Sequence, residues 1–424
     1  MSSAPLLRRL VVALAPALAF TSCGGGDEPA PTVQAGPRAE EPRSADPRLA
    51  RAREALATGS LETARTLAEQ VGASAGVEGP LCRARALFLG GDAVAALAAV
   101  EEARDLGPGD SRVYATAAEF LALGRRGVDA EDELAAGLER AGATPDLARA
   151  RAVLALTRPG QGAVALALLE DALAQDPALP YTAWPLSQAN LLTGRLVLGT
   201  GDAETALDHA ERALALDPDL AEARELAGDA LVTGGDLVAA IAAYEAAAEG
   251  GLDVARALAD AHLRAGMFAR VDGRHRDAEQ HYLAARGHGL SDEELGSAAD
   301  YLGERADAAH AAGVAADLRG EPGPAAAEQA RALELDPGHG GARHELARLR
   351  FEAGDHLGAA HLWGELVAAE AALAGEGGSH LNQARALVLA GRARQAREAL
   401  EGYLAAWPAG TWAAETRDML ARLP

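Results

Sequence analysis

AEARELAGDALVTGGDLVAAIAAYEAAAEGG, residues 221–251, decides how this chain folds. Ala223, Leu226, Ala227, Ala230 and Leu231 recur at the spacing of one helix face. Thr233-Gly234-Gly235 ends that helix, because glycine reaches the left-handed conformation a C-cap needs. Asp236 can then cap a second helix, its carboxylate accepting free backbone N–H groups. Leu237, Ala240, Ile241, Tyr244 and Ala248 form a second apolar stripe. One short hairpin cannot bury both stripes, so it needs neighbours.

The neighbours are present. Upstream, Gly194, Ala206 and Ala213 lead to Asp217-Pro218; in the 221–251 unit the matching places hold Gly228, Ala240 and Ala247. The small residues let paired helices approach, Tyr244 is expected to fill the space between units, and the proline closes a repeat because it cannot continue a helix. With a period of about 34 residues, this pattern resembles the tetratricopeptide-repeat (TPR) family. The resemblance implies an all-α fold, a right-handed superhelical solenoid of helix-turn-helix hairpins. In phase, about nine units run through residues 46–424. Residues 180–186 read as a small irregular insert before a unit at Ser187. Ser291-Asp-Glu-Glu294 reads as a capping box ahead of a longer helix. Thr411–Leu423 reads as a closing helix.

Composition agrees with close helix packing. The chain has 424 residues, 49% of them hydrophobic and only 4% aromatic, so its core is mostly Ala and Leu. Net charge is −23 and every cationic side chain is Arg, which argues against nucleic acid or an anionic membrane surface as partner. Residues 1–22 read as a signal peptide, with Arg8-Arg9 followed by an apolar stretch too short to span a bilayer. Phe20-Thr-Ser-Cys23 resembles a bacterial lipobox, with Phe20 where Leu is usual. The resemblance implies diacylation of Cys23, enough for stable anchoring with periplasmic exposure. Gly24 after the cysteine favours the outer membrane; the alternative is cleavage after Ala19 and a soluble periplasmic protein. Residues 23–45, rich in Gly and Pro, read as a disordered tether.

No catalytic motif emerges: there is no Walker loop, nucleophile elbow or HExxH pair, and no cofactor is called for. Cys82 falls inside a helix as a small buried residue. His281 and His288 could share a helix face, but no third metal ligand stands out. The functional surface is then the concave face, lined in the family by each first helix. One row there reads Arg85, Glu119, Leu154, Arg195, Asp229, Met267, Val314, Arg348 and Arg385. An adjacent row reads Leu81, Ala115, Ala150, Leu191, Glu225, Leu263, His310, His344 and Leu381. The partner-binding residues are expected at Arg195, Asp229 and Met267: an arginine fork, a hydrogen-bond acceptor and a soft apolar contact. The expected function is a non-catalytic scaffold for a protein or peptide in the cell envelope. The alternatives are an assembly factor of an envelope machine, or a subunit of an enzyme.

Overall fold

The hairpins are set by their turns. In the computed structural model, which describes residues 46–372 and 378–423, Gly91, Gly201, Gly235 and Gly354 have φ of 87–89°. This left-handed backbone costs glycine nothing sterically. The aspartate after each glycine (Asp92, Asp202, Asp236 and Asp355) accepts a backbone N–H of the next helix at 2.9–3.1 Å. One Gly-Asp pair thus closes a helix and opens another. The off-pattern turn at residues 124–127 makes the same bend with Arg125, a non-glycine at φ 61°.

All regular structure among the described residues is helical, and the chain divides between Val254 and Ala255 into two compact units. The first unit holds six hairpins: α1 (Pro47–Ala57) with α2 (Leu61–Val71), α3 (Glu78–Leu89) with α4 (Ala93–Leu106), α5 (Ser111–Leu123) with α6 (Gly127–Ala141), α7 (Pro145–Leu156) with α8 (Gly162–Gln175), α9 (Ala183–Gly199) with α10 (Ala203–Leu216), and α11 (Ala221–Gly234) with α12 (Leu237–Glu249). The second holds α13 (Ala255–Val271) with α14 (His275–Gly287), the single turn α15 (Asp292–Leu295), α16 (Ser297–Leu318) with α17 (Pro322–Leu335), α18 (Gly340–Glu352) with α19 (His356–Ala372), α20 (Ser379–Leu389) with α21 (Ala393–Ala406), and the closing α22 (Ala413–Arg422).

Each core is built from close approaches. A Cβ added to Gly228 would lie 2.5 Å from the Tyr244 ring, one on Gly266 2.5 Å from the Tyr282 ring, and one on Gly313 2.5 Å from Gln329. In all three pairs a long side chain of the second helix lies across a bare backbone of the first. Tyr244 therefore packs inside its own hairpin, where the sequence reading placed it between units. Two boundaries also shift. α9 begins at Ala183, inside the stretch 180–186 expected to be irregular, and the non-helical link lies earlier, over residues 176–182. The capping box at Ser291 and Glu294 is present, but it caps only the one-turn α15. Gly296, at φ 53°, then breaks the chain before α16, which runs for 22 residues.

Candidate protein-binding surface

The two rows expected to line the groove behave differently. Leu81, Ala115, Ala150, Leu191 and Leu381 are buried, so most of the second row is core between helices. Its polar member in the first unit, Glu225, is half-buried and paired. Arg195 Nη2 lies 3.0 Å from Glu225 Oε2, with the Arg195 side chain 46% exposed. Burial pushes the Glu225 carboxyl above its ordinary range, against the pull of Arg195. Asp229 accepts the Tyr244 hydroxyl at 2.6 Å, so one of its oxygens is committed inside the hairpin. In the second unit Met267 is 54% exposed, beside exposed Phe268 and Val271. Arg348 there contacts Asp317, Glu345 and Glu352, and Arg385 contacts Glu415. Cys23 lies outside the described residues.

Sequence reasoning missed a buried charge network on α1, α3, α5 and α7. Glu78 sits between Arg53 at 2.7 Å and Arg112 at 2.8 Å. Glu119 sits between Arg85 at 2.8 Å and Arg149 at 2.7 Å, and Arg149 also holds Asp146 at 2.8 Å. Arg149 is 1% exposed and Glu119 4%. Burial opposes both charges, but the opposite charges win: the Glu119 carboxyl is held below its ordinary range by Arg149 and Arg85, and the Arg149 guanidinium is raised by Glu119 and Asp146. A signal existed. Glu78, Arg112 and Asp146 occupy one phase of consecutive repeats with alternating sign, as do Arg85 and Glu119.

The histidines gather more than their spacing implied. His262 from α13 brings its Nδ1 to 3.0 Å from His281 Nδ1 on α14, and its ring stacks 5.6 Å from that of His288. Burial, then His281 and His288, depress the His262 pKa to about 4. Among the described residues no group of three His, Cys, Asp or Glu is arranged to hold a metal ion. Cys82 is buried in α3, and burial raises its thiol pKa. No described helix is long and apolar enough to cross a membrane.

No protein-family model and no curated protein matches the sequence. Among solved structures the chain is similar to PilW, a widely conserved type IV pilus biogenesis factor: 21% identity, TM-score 0.34, covering 51% of this chain and 96% of that one. It is similar to human IFIT1, solved as a dimer with PPP-AAAA, at 16% identity and TM-score 0.37, covering 76% and 72%. PilF of Pseudomonas aeruginosa gives 19% identity and TM-score 0.22, covering 56% and 99%. The repeat type stands on the hairpins themselves: this is an all-α array of tetratricopeptide-type helix pairs.

Proposed function

We propose that the chain is a non-catalytic scaffold that holds a protein or peptide partner and is tethered to the bacterial cell envelope through lipid on Cys23. The observation that carries the binding half is the first-helix row. At one phase of the repeats it sets part-exposed side chains, Arg195 and Asp229 in the first unit and Met267, Val314, Arg348 and Arg385 in the second, as solenoids do where they present a binding surface, while Glu119 and Leu154 at the same phase are buried. In the first unit the proposed contacts are Arg195 and Asp229; in the second, Met267. Arg195 has a single half-exposed acid at 3.0 Å, so its remaining donors can take a partner carboxylate. Asp229 keeps one oxygen beyond its bond to Tyr244. The tether rests on the sequence alone: Arg8-Arg9, the short apolar stretch and Cys23.

In-cell crosslinking with mass spectrometry tests the surface. Arg195→Ala with Asp229→Asn, and separately Met267→Ala, should lower partner recovery; the asparagine keeps an acceptor for Tyr244. Replacement of Glu211, Arg212 and Glu245, on the second helices α10 and α12, should not. If only this control loses the partner, the surface is misplaced. Cys23→Ala should shift the protein from the membrane to the soluble fraction and abolish palmitate labelling; unchanged labelling refutes the anchor.

A further inference from the structure

The insert before α9 is the longest described link of the first unit, and it folds back onto earlier hairpins. Between α10 and α11 the chain crosses in four residues, 217–220; between α8 and α9 it takes seven, 176–182. The extra length carries Pro180 and Tyr181 back over repeats about a hundred residues earlier. Tyr181 packs against the cluster of Leu49, Leu56 and Cys82. The Arg85 guanidinium lies over its ring at 4.1 Å, and Arg149 is 6.0 Å from the ring centre. Arg149 Nη1 donates to the Pro180 carbonyl at 3.0 Å. Pro180 and Tyr181 close one side of a small recess whose other walls include Arg53, Glu78, Cys82, Arg85 and Arg149.

Two features separate this seat from ordinary core. Tyr181 has φ 63°, left-handed backbone that a bulky residue adopts only under strain. Its contacts are also those of a bound peptide: an aromatic ring under a guanidinium, a main-chain carbonyl on a second arginine, and apolar packing against Leu49, Leu56 and Cys82. The arginines are already placed by Glu78, Glu119 and Asp146, so the seat exists without the tyrosine.

We propose that the groove over α1, α3, α5 and α7 is a receptor for a tyrosine-bearing peptide segment of a protein partner, and that residues 176–182 occupy it as an intramolecular competitor. The ring would enter between Arg85 and Cys82, and the carbonyl before the tyrosine would take Arg149. The left-handed strain at Tyr181 favours release of the internal segment, while its tethering favours retention: a short link holds its own ligand at an effective concentration on the order of millimolar. A partner therefore has to exceed that, which keeps the groove closed to casual peptides. The proposal rests on the scaffold reading and adds a ligand class and a site to it.

Cys82 reports the state of the groove. In the full chain with Cys23→Ala it is the sole thiol. Tyr181→Ala should raise its rate of modification by an aromatic disulfide reagent by about tenfold or more. The peptide acetyl-PALPYT-amide should then slow that rate saturably, and acetyl-PALPAT-amide should not. Protection by neither peptide, or by both equally, in a variant that keeps its far-UV helicity overturns the proposal. If Tyr181→Ala loses helicity, the wild-type chain decides. The same peptide with a photoreactive benzoylphenylalanine in place of tyrosine, at millimolar concentration, should form adducts on residues 78–85; adducts only elsewhere, or none, overturn it. A partner crosslinked in cells at Arg195 or Met267 alongside such a negative result sinks the groove and leaves the scaffold standing.

Discussion

Glycine carries two opposite meanings in this chain, and the structure separates them. At Gly266 a Cβ would meet the Tyr282 ring at 2.5 Å, and Tyr282 is 1% exposed, so the ring has nowhere to go. At Gly303, inside α16, nothing lies within 4 Å. Both glycines are helical and in the same unit. Alanine gains about 1 kcal/mol of helix propensity at either place. At Gly266 overpacking costs about 1–3 kcal/mol and outweighs that gain. Gly266→Ala should therefore lower the melting temperature and Gly303→Ala should raise it, both read by circular dichroism on the same transition. Two shifts of one sign would mean that the small residues do not mark helix contacts. Those contacts were legible in the sequence, because glycine and alanine recur in phase. The direction of Tyr244 was not: its ring can swing into its own hairpin or the next, and only the bare backbone of Gly228 together with the acceptor at Asp229 decides. The buried arginines were illegible for a related reason. An arginine on a helix looks solvated until its acid, about one repeat away, is brought to 2.7 Å, as Glu119 is to Arg149.

Helix α14 and its neighbours show what a repeat pattern predicts and where it stops. The longer helix after Ser291 was readable from the surplus of residues before the next in-phase unit, and it exists as α16. Its break at Gly296 was not, because a capping box signals that a helix starts and says nothing of its length. The histidines make the same point. Sequence spacing relates His281 on α14 to His288 just past its end, but only the packing of α13 adds His262. That placement has a pH consequence. His262 is held near a pKa of about 4 in the folded chain, against an ordinary 6.5, chiefly by burial and then by His281 and His288; the His281 pKa is also lowered, chiefly by burial. Between pH 6.5 and 4 the unfolded chain binds protons that the folded one does not. Stability from this group is thus complete above pH 6.5, falls as pH drops toward 4, and levels off below. His262→Gln should flatten the fall of the melting temperature across that window relative to wild type. Parallel curves would mean that His262 titrates in the fold as it does in solvent.

The whole molecule carries 62 acidic against 39 basic side chains. Its ion pairs do not erase that excess, and most are half-exposed, as Arg195 with Glu225 or Arg212 with Asp208. Exposed pairs contribute about 0–1 kcal/mol each and weaken when salt is added. The self-repulsion of 23 uncompensated negative charges weakens too, and it acts over longer distances. The Debye length decides between them: it falls from about 30 Å at 0.01 M to about 8 Å at 0.15 M. Paired atoms 2.5–3 Å apart lie well inside both lengths, so their attraction is cut little. Repulsion between like charges one or two repeats apart lies between the two lengths and is cut strongly. The buried Arg149, Glu119 and Asp146 cluster, shielded from ions by its burial, changes least. The melting temperature should therefore rise as sodium chloride goes from 0.01 to about 0.15 M, a salt chosen because sulfate or phosphate would strengthen apolar burial by itself. A fall over that range would show that the surface pairs outweigh the net charge, and that the acidic excess is spread too thinly along the repeats to strain the fold.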